Sequence, residues 1–142
     1  MKREIYLILF SIVLLGSCTK NSQTTSSEKY KSVADKRFGN GEYVCSENQD
    51  MTFTLCLHQL SDKGAVVTSW DFFIYDLEKE SVTYSETVER GSVKWINTYE
   101  VQVSKVPGTM AEGQTMDDYA WIIDVKTGQK TKKSDYKKQI NN

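Results

Sequence analysis

Cys56 and His58 are the pair whose residue types and spacing come nearest to chemistry in this chain. Two positions apart on an extended strand, their side chains share one face. A thiolate beside an imidazole suits a soft metal, or a nucleophile with its base. The set is incomplete for either. His58 is the sole histidine, and neither a CxxC pair nor a G-x-S-x-G elbow accompanies it, whereas a structural zinc site takes about four ligands. Cys45 offers Cys56 a simpler role, because the two form an even pair suited to a disulfide in an oxidising compartment. Such a bridge closes a short loop and contributes about 3 kcal/mol in the chain-entropy account. A turn centred on Asn48 and Gln49 puts Cys45 opposite Thr52, so the bridge requires a longer turn or a shifted register.

The carboxylates Asp117 and Asp118 stand beside Tyr119, with Glu112 in the same polar stretch. They lack the D-x-[DN]-x-[DN]-G spacing of a calcium loop, and a solvated loop accounts for them. The glycines at 39, 41 and 113 are not followed by the GK[ST] of a phosphate loop. No metal and no cofactor is expected, and no catalytic constellation is present, so the chain reads as a non-enzyme. The aromatics are a different matter. Trp70, Trp95 and Trp121 fall on strand-like segments with Tyr75, Tyr84, Tyr99 and Tyr119. Trp95 is in phase with Val93 and is assigned to the core. Trp70, Tyr75 and Trp121, with Asp117 and Asp118, are the candidate contact residues for a protein or glycan partner, since aromatic rings on a sheet stack on sugars or anchor a protein surface.

The elements that must position these residues are strands. Met51, Phe53, Leu55 and Leu57 alternate with Thr52, Thr54, Cys56 and His58, the period of a half-buried strand with His58 on the exposed side. Residues 61–64 read as a turn, and 65–77 as one long strand or two. Residues 77–80 read as a hairpin loop, because β-formers resume at Val82 and Tyr84. Gly91 breaks the next run, Asn97-Thr98 turns the chain, and Tyr99, Val101 and Val103 alternate again. Residues 109–118 make the longest loop, 119–125 the last strong strand, and 126–129 reverse the chain into a weak edge segment. Residues 33–38 form either a helical turn or a first short strand. No segment shows a sustained helical period. The expected fold is all-β, an antiparallel β-meander forming a small sandwich or barrel.

Phe73-Ile74-Tyr75-Asp76-Leu77-Glu78 is echoed by Ile122-Ile123-Asp124-Val125-Lys126. The spacing resembles the blade rhythm of β-propellers. A closed propeller needs about four blades or more, and this chain has room for two, so a meander with shared hairpin chemistry is the expectation.

The first eighteen residues say where the domain lives. Lys2 and Arg3 precede an apolar run from Ile5 to Leu15, followed by Leu15-Gly16-Ser17-Cys18. This is the layout of a secretory signal, and the run is short for a spanning helix of about 20 apolar residues. The small residues leading into a cysteine resemble the lipobox of bacterial lipoproteins. That resemblance implies removal of residues 1–17, acylation (palmitate) of Cys18, and attachment to a membrane of the cell envelope, facing the periplasm or the outer surface. Residues 18–32 then form a flexible tether, 33–133 the β-rich domain, and 134–142 a basic polar tail. Residues 126–138 hold six lysines and one aspartate, which a solvated tail explains as well as contact with lipid headgroups. A net charge of −1 with both signs well mixed gives no reason to expect nucleic acid. The functional expectation is a membrane-anchored binding or assembly module. The alternative is a small inhibitor or immunity-type lipoprotein that blocks a hydrolase through an exposed loop at 110–118.

Overall fold

The computed structural model describes residues 26–60, 64 and 66–140. The leader, Cys18, the first part of the tether and most of the 61–64 turn lie outside them. The architecture is all-β. The first sheet runs β1 (Tyr43–Glu47), β2 (Phe53–Gln59), β3 (Trp70–Asp76) and β4 (Ser81–Val88); the second runs β5 (Gly91–Asn97), β6 (Glu100–Lys105), β7 (Ala120–Asp124) and β8 (Lys130–Lys132). Each is an antiparallel meander in which sequence neighbours pair, and no strand of one sheet pairs with a strand of the other. The result is therefore a sandwich rather than a barrel. Its centre is built by Phe53, Leu55, Phe72, Ile74 and Val88 from the first sheet against Val93, Val101, Val103, Ile123 and Val125 from the second. The chain changes sheets at Glu89 and Arg90. A Cβ on Gly91 would overlap the Ser104 carbonyl and the Val88 side chain, so only glycine fits where the new sheet starts.

Two helices cover the outer faces, and both correct the sequence reading. The first, α1 (Ser26–Phe38), begins inside the stretch expected to be tether. Tyr30, Ala34 and Phe38 follow one another at four-residue intervals and pack on Cys56, Phe73 and Tyr75 of the first sheet. Helical side chains four apart lie one above the other, so this stripe buries a face that a short strand could not. Arg37 fixes the helix end by donating to both oxygens of Asp71, at 3.1 and 2.6 Å. The second, α2 (Lys133–Ile140), replaces the expected tail. It lies against β7 and β8, where Tyr136 donates to Glu100 at 2.8 Å, on the face bearing buried Ala120 and Ile122. Burial on both faces explains why Phe53 to Cys56 and Phe72 to Asp76 are buried without a break.

The pairing of Cys45 with Cys56 is direct. They are register partners, joined by a disulfide, with Cα atoms 4.1 Å apart. The turn is longer than a two-residue hairpin because Asn48 organises it. The Asn48 side-chain oxygen accepts from the Thr52 and Phe53 N–H groups at 2.8 and 3.0 Å, and Met51 N–H donates back to the Asn48 carbonyl. Met51, expected on the apolar face of β2, instead forms the tip of this turn at φ 52° and is exposed.

The propeller-like echo resolves into turn chemistry. Asp76 accepts the N–H groups of Glu78 and Lys79, and Asp124 accepts those of Lys126 and Thr127. Both end the third strand of their sheet. Their parities differ, however: Asp76 pairs with core residue Phe53, while Asp124 pairs with Glu100 on the outer side. The two motifs share a hairpin and not a repeated blade.

Candidate binding cleft

The sandwich has two open flanks, and the structure treats them differently. On the β4–β8 flank, Glu86 on β4 pairs with Lys130 on β8 at 2.5 Å and with Lys105 on β6 at 3.4 Å. Tyr84 donates to the same carboxylate at 2.8 Å. Burial alone would raise the Glu86 pKa. The bonds from Lys130 and Tyr84, with the Lys105 charge, outweigh it and hold the carboxylate below its ordinary range. Trp121 completes this seam, with Lys105 and Lys130 ammonium groups 5.4 and 5.2 Å from its ring centre. The ring is half-buried and already engaged.

On the β1–β5 flank only the turn end is closed. Trp95 Nε1 donates to the Ser46 carbonyl at 3.2 Å, and Asn48 Nδ2 to the Thr98 carbonyl at 2.8 Å. Tyr99 donates to Asp50. Trp95 thus shares the core-facing side of Val93 as expected, but it is half-buried at the rim rather than inside. Towards the other end of β1 none of the described residues covers the inner face. Val44 points to the core side of its sheet, opposite Leu57, yet is 70% exposed. A cleft of about 350 Å³ opens there, walled by Val44, Leu57 and Trp70 and rimmed by Glu42, His58 and Gln59. Trp70 is locked in place: its Nε1 donates to the Gly91 carbonyl at 3.1 Å and its ring packs on the central core. The apolar wall is therefore preformed.

His58 belongs to the rim as a packing residue and is half-buried rather than exposed. Its ring stacks on Phe38 at 5.2 Å, Nδ1 lies 2.9 Å from the Glu42 carbonyl, and the ring fills the space above Gly41 that a Cβ would need. With Cys56 held in the disulfide, the two do not form a metal or nucleophile pair. Among the described residues no group of three or more metal-ligating side chains is gathered.

Of the sequence candidates, Trp70 reaches the cleft. Tyr75 does not: it is 3% exposed and packs edge-on to Tyr30 beneath α1. Asp117 and Asp118 sit on a single 3-10 turn (Met116–Tyr119) and are neutralised. Asp117 pairs with Lys133 at 3.0 Å and with Lys137; Asp118 pairs with Lys132 at 3.3 Å and caps the turn through Thr115. Hydrogen bonds from the Lys137 and Lys133 ammonium groups lower the Asp117 pKa, and the Thr115 N–H with Lys132 lowers that of Asp118. The same contacts disarm the lysine run, five of whose six members meet carboxylates, while Lys126 lies 3.4 Å over the Tyr99 ring. Val44 and Leu57 were missed because a strand pattern shows which residues share a face, not which part of that face the second sheet leaves open. Comparison with protein families, with curated proteins and with solved structures finds no match.

Proposed function

We propose that this chain is a bacterial lipoprotein, acylated at Cys18, whose β-sandwich is a binding module with the β1 cleft as its contact site. The observation that carries the reading is the uncovered Val44 beside the fixed indole of Trp70. A preformed apolar wall with a polar rim is what a recognition site needs. The position of α1 adds support. Its first turns lie at the end of the molecule bearing the β3–β4 turn, where Lys29 pairs with Glu80, and its last turn lies at Asp71, beside the cleft. A lipid on Cys18 would join the domain through Ser26, at the end of α1 away from the cleft, by at most about 25–30 Å of extended chain.

The inhibitor reading has one observation in its favour. Residues 109–116 are exposed throughout and are braced from within, since Gln114 Oε1 accepts from the Ala111 N–H at 2.9 Å and from Tyr119. Asp117 and Asp118 at its end are paired, so this loop would act through Met110, Glu112 and Met116 instead.

Two variants separate the readings in the lipidated protein. Val44→Lys should abolish partner retention on the membrane and Met110→Lys should leave it unchanged, with both proteins folded by near-ultraviolet circular dichroism. The reverse pattern favours the loop. Cys18→Ala should release the protein from membranes; a Cys18→Ala chain that still takes up labelled palmitate removes the anchor from the account.

A further inference from the structure

We infer that the occupant of the cleft is an extended peptide segment of a partner protein, added as a strand to the edge of β1. The inference rests on the cleft being the contact site. It starts from the hydrogen-bond phase of β1. Asn48 N–H donates to the Phe53 carbonyl, so in the alternating antiparallel pattern Ser46 and Val44 bond to β2 while Tyr43 and Cys45 direct their backbone N–H and C=O groups away from it. The 4.1 Å Cα spacing of Cys45 and Cys56 agrees, since the non-hydrogen-bonded pairs of a ladder are the closer ones. Among the described residues no strand lies on the outer side of β1.

Two features therefore coincide. Tyr43 and Cys45 offer a short row of backbone donors and acceptors, and Val44 between them opens onto the apolar cleft. A glycan or an acyl chain would meet the wall and leave the row unmatched. An added strand meets both: main-chain bonds give affinity and a pocket for alternate side chains gives selectivity. The edge also has a charge. Glu42 is exposed on the Val44 side of the row, and Glu47, exposed on the α1 side, has no ion-pair partner among the described residues. A strand carrying an apolar residue with a basic one two positions away, on the same face, is the complement.

The test uses the full-length lipidated protein in phosphatidylethanolamine–phosphatidylglycerol nanodiscs and the blocked pentapeptide Lys-Thr-Leu-Thr-Lys. With its leucine opposite Val44, the two threonine N–H groups face β1 and the leucine N–H faces away. Saturable binding is expected, with amide shifts at Tyr43 and Cys45 and a change in Trp70 fluorescence. N-methylation of both threonines should weaken it by about tenfold or more, the worth of two net backbone bonds. N-methylation of the leucine should leave it within about twofold, a difference of a few tenths of a kcal/mol. Exchange of the lysine opposite Glu42 for glutamate should also weaken binding. Equal binding by the threonine-methylated and parent peptides would overturn strand addition, while loss of that binding in Val44→Lys would keep the cleft as the contact site. Absence of saturable binding by the parent peptide would overturn the peptide as occupant and leave the anchored-module reading to its own tests.

Discussion

At the scale of single residues, the two strand-ending aspartates carry the same turn in different surroundings. Asp76 is 4% exposed and also meets the Lys79 ammonium at 3.2 Å, whereas Asp124 is half-exposed. Asp76→Ala should therefore cost about 2–3 kcal/mol and Asp124→Ala about 1 kcal/mol in chemical denaturation; equal costs would show that burial adds nothing to the Asp76 turn. The same residue sets an acid limit. Burial pushes the Asp76 pKa up, but the Lys79 N–H and ammonium and the Glu78 N–H outweigh it, so it lies below 3.8, as that of Glu86 lies below 4.5. A depressed folded-state pKa stabilises above the unfolded value and ceases to do so as pH falls through the folded one. Stability should be level from neutral pH down to about 5 and fall below about 4.5, and Glu86→Gln should remove part of that slope; a stability that rises below pH 4.5 would contradict the two pairings. The strand parity of Val93, Trp95, Val101 and Val103 was legible from alternation alone. The rim position of Trp95 was not, because it depends on where Ser46 of the other sheet ends. Trp95→Phe should cost about 1 kcal/mol for the lost bond to Ser46, with Trp95→Ala costing more.

At the scale of elements, strands declared themselves through period-two alternation and hairpin turns, and helices did not. Tyr30, Ala34 and Phe38 hold a readable four-residue spacing, but the serine- and lysine-rich residues around them have the composition of a tether, and the apolar face that rewards helix formation is far away in sequence. The lysines of 126–138 read as a tail for the same reason: Glu86, Asp117 and Asp118, which neutralise them, reach them only through the fold. Phe38 stacks on Phe73 at 5.6 Å and is 8% exposed, so Phe38→Ala should cost about 3–4 kcal/mol and free the helix first in hydrogen exchange. Protection of α1 equal to that of β3 in this variant would show that the stripe does not hold the helix. The disulfide staples the strand that α1 covers. Replacing Cys45 and Cys56 together by alanine should cost about 2–3 kcal/mol, read as a lower denaturation midpoint, and an unchanged midpoint would mean that the β1–β2 ladder and the Asn48 turn suffice without it.

At the scale of the whole molecule, the sandwich is sealed on one flank by the Glu86–Lys105–Lys130 seam and half-sealed on the other by Trp95 and Asn48. The cleft is what remains open, and α1 starts at the end of the domain away from it. The expected leader and lipobox lie outside the described residues. The cleft was not legible in the sequence, because it is a gap between sheets rather than a motif. Site-specific photo-crosslinking tests the central claim most directly: a photoreactive residue placed at position 44, at position 110 or at position 138 of the lipidated protein in its native membrane. Covalent adducts to one partner from position 44, absent from 138, lost from position 44 when Cys45 and Tyr43 backbone access is blocked by excess pentapeptide, are the predicted result. Adducts from position 110 with none from position 44 would contradict the cleft as the contact site.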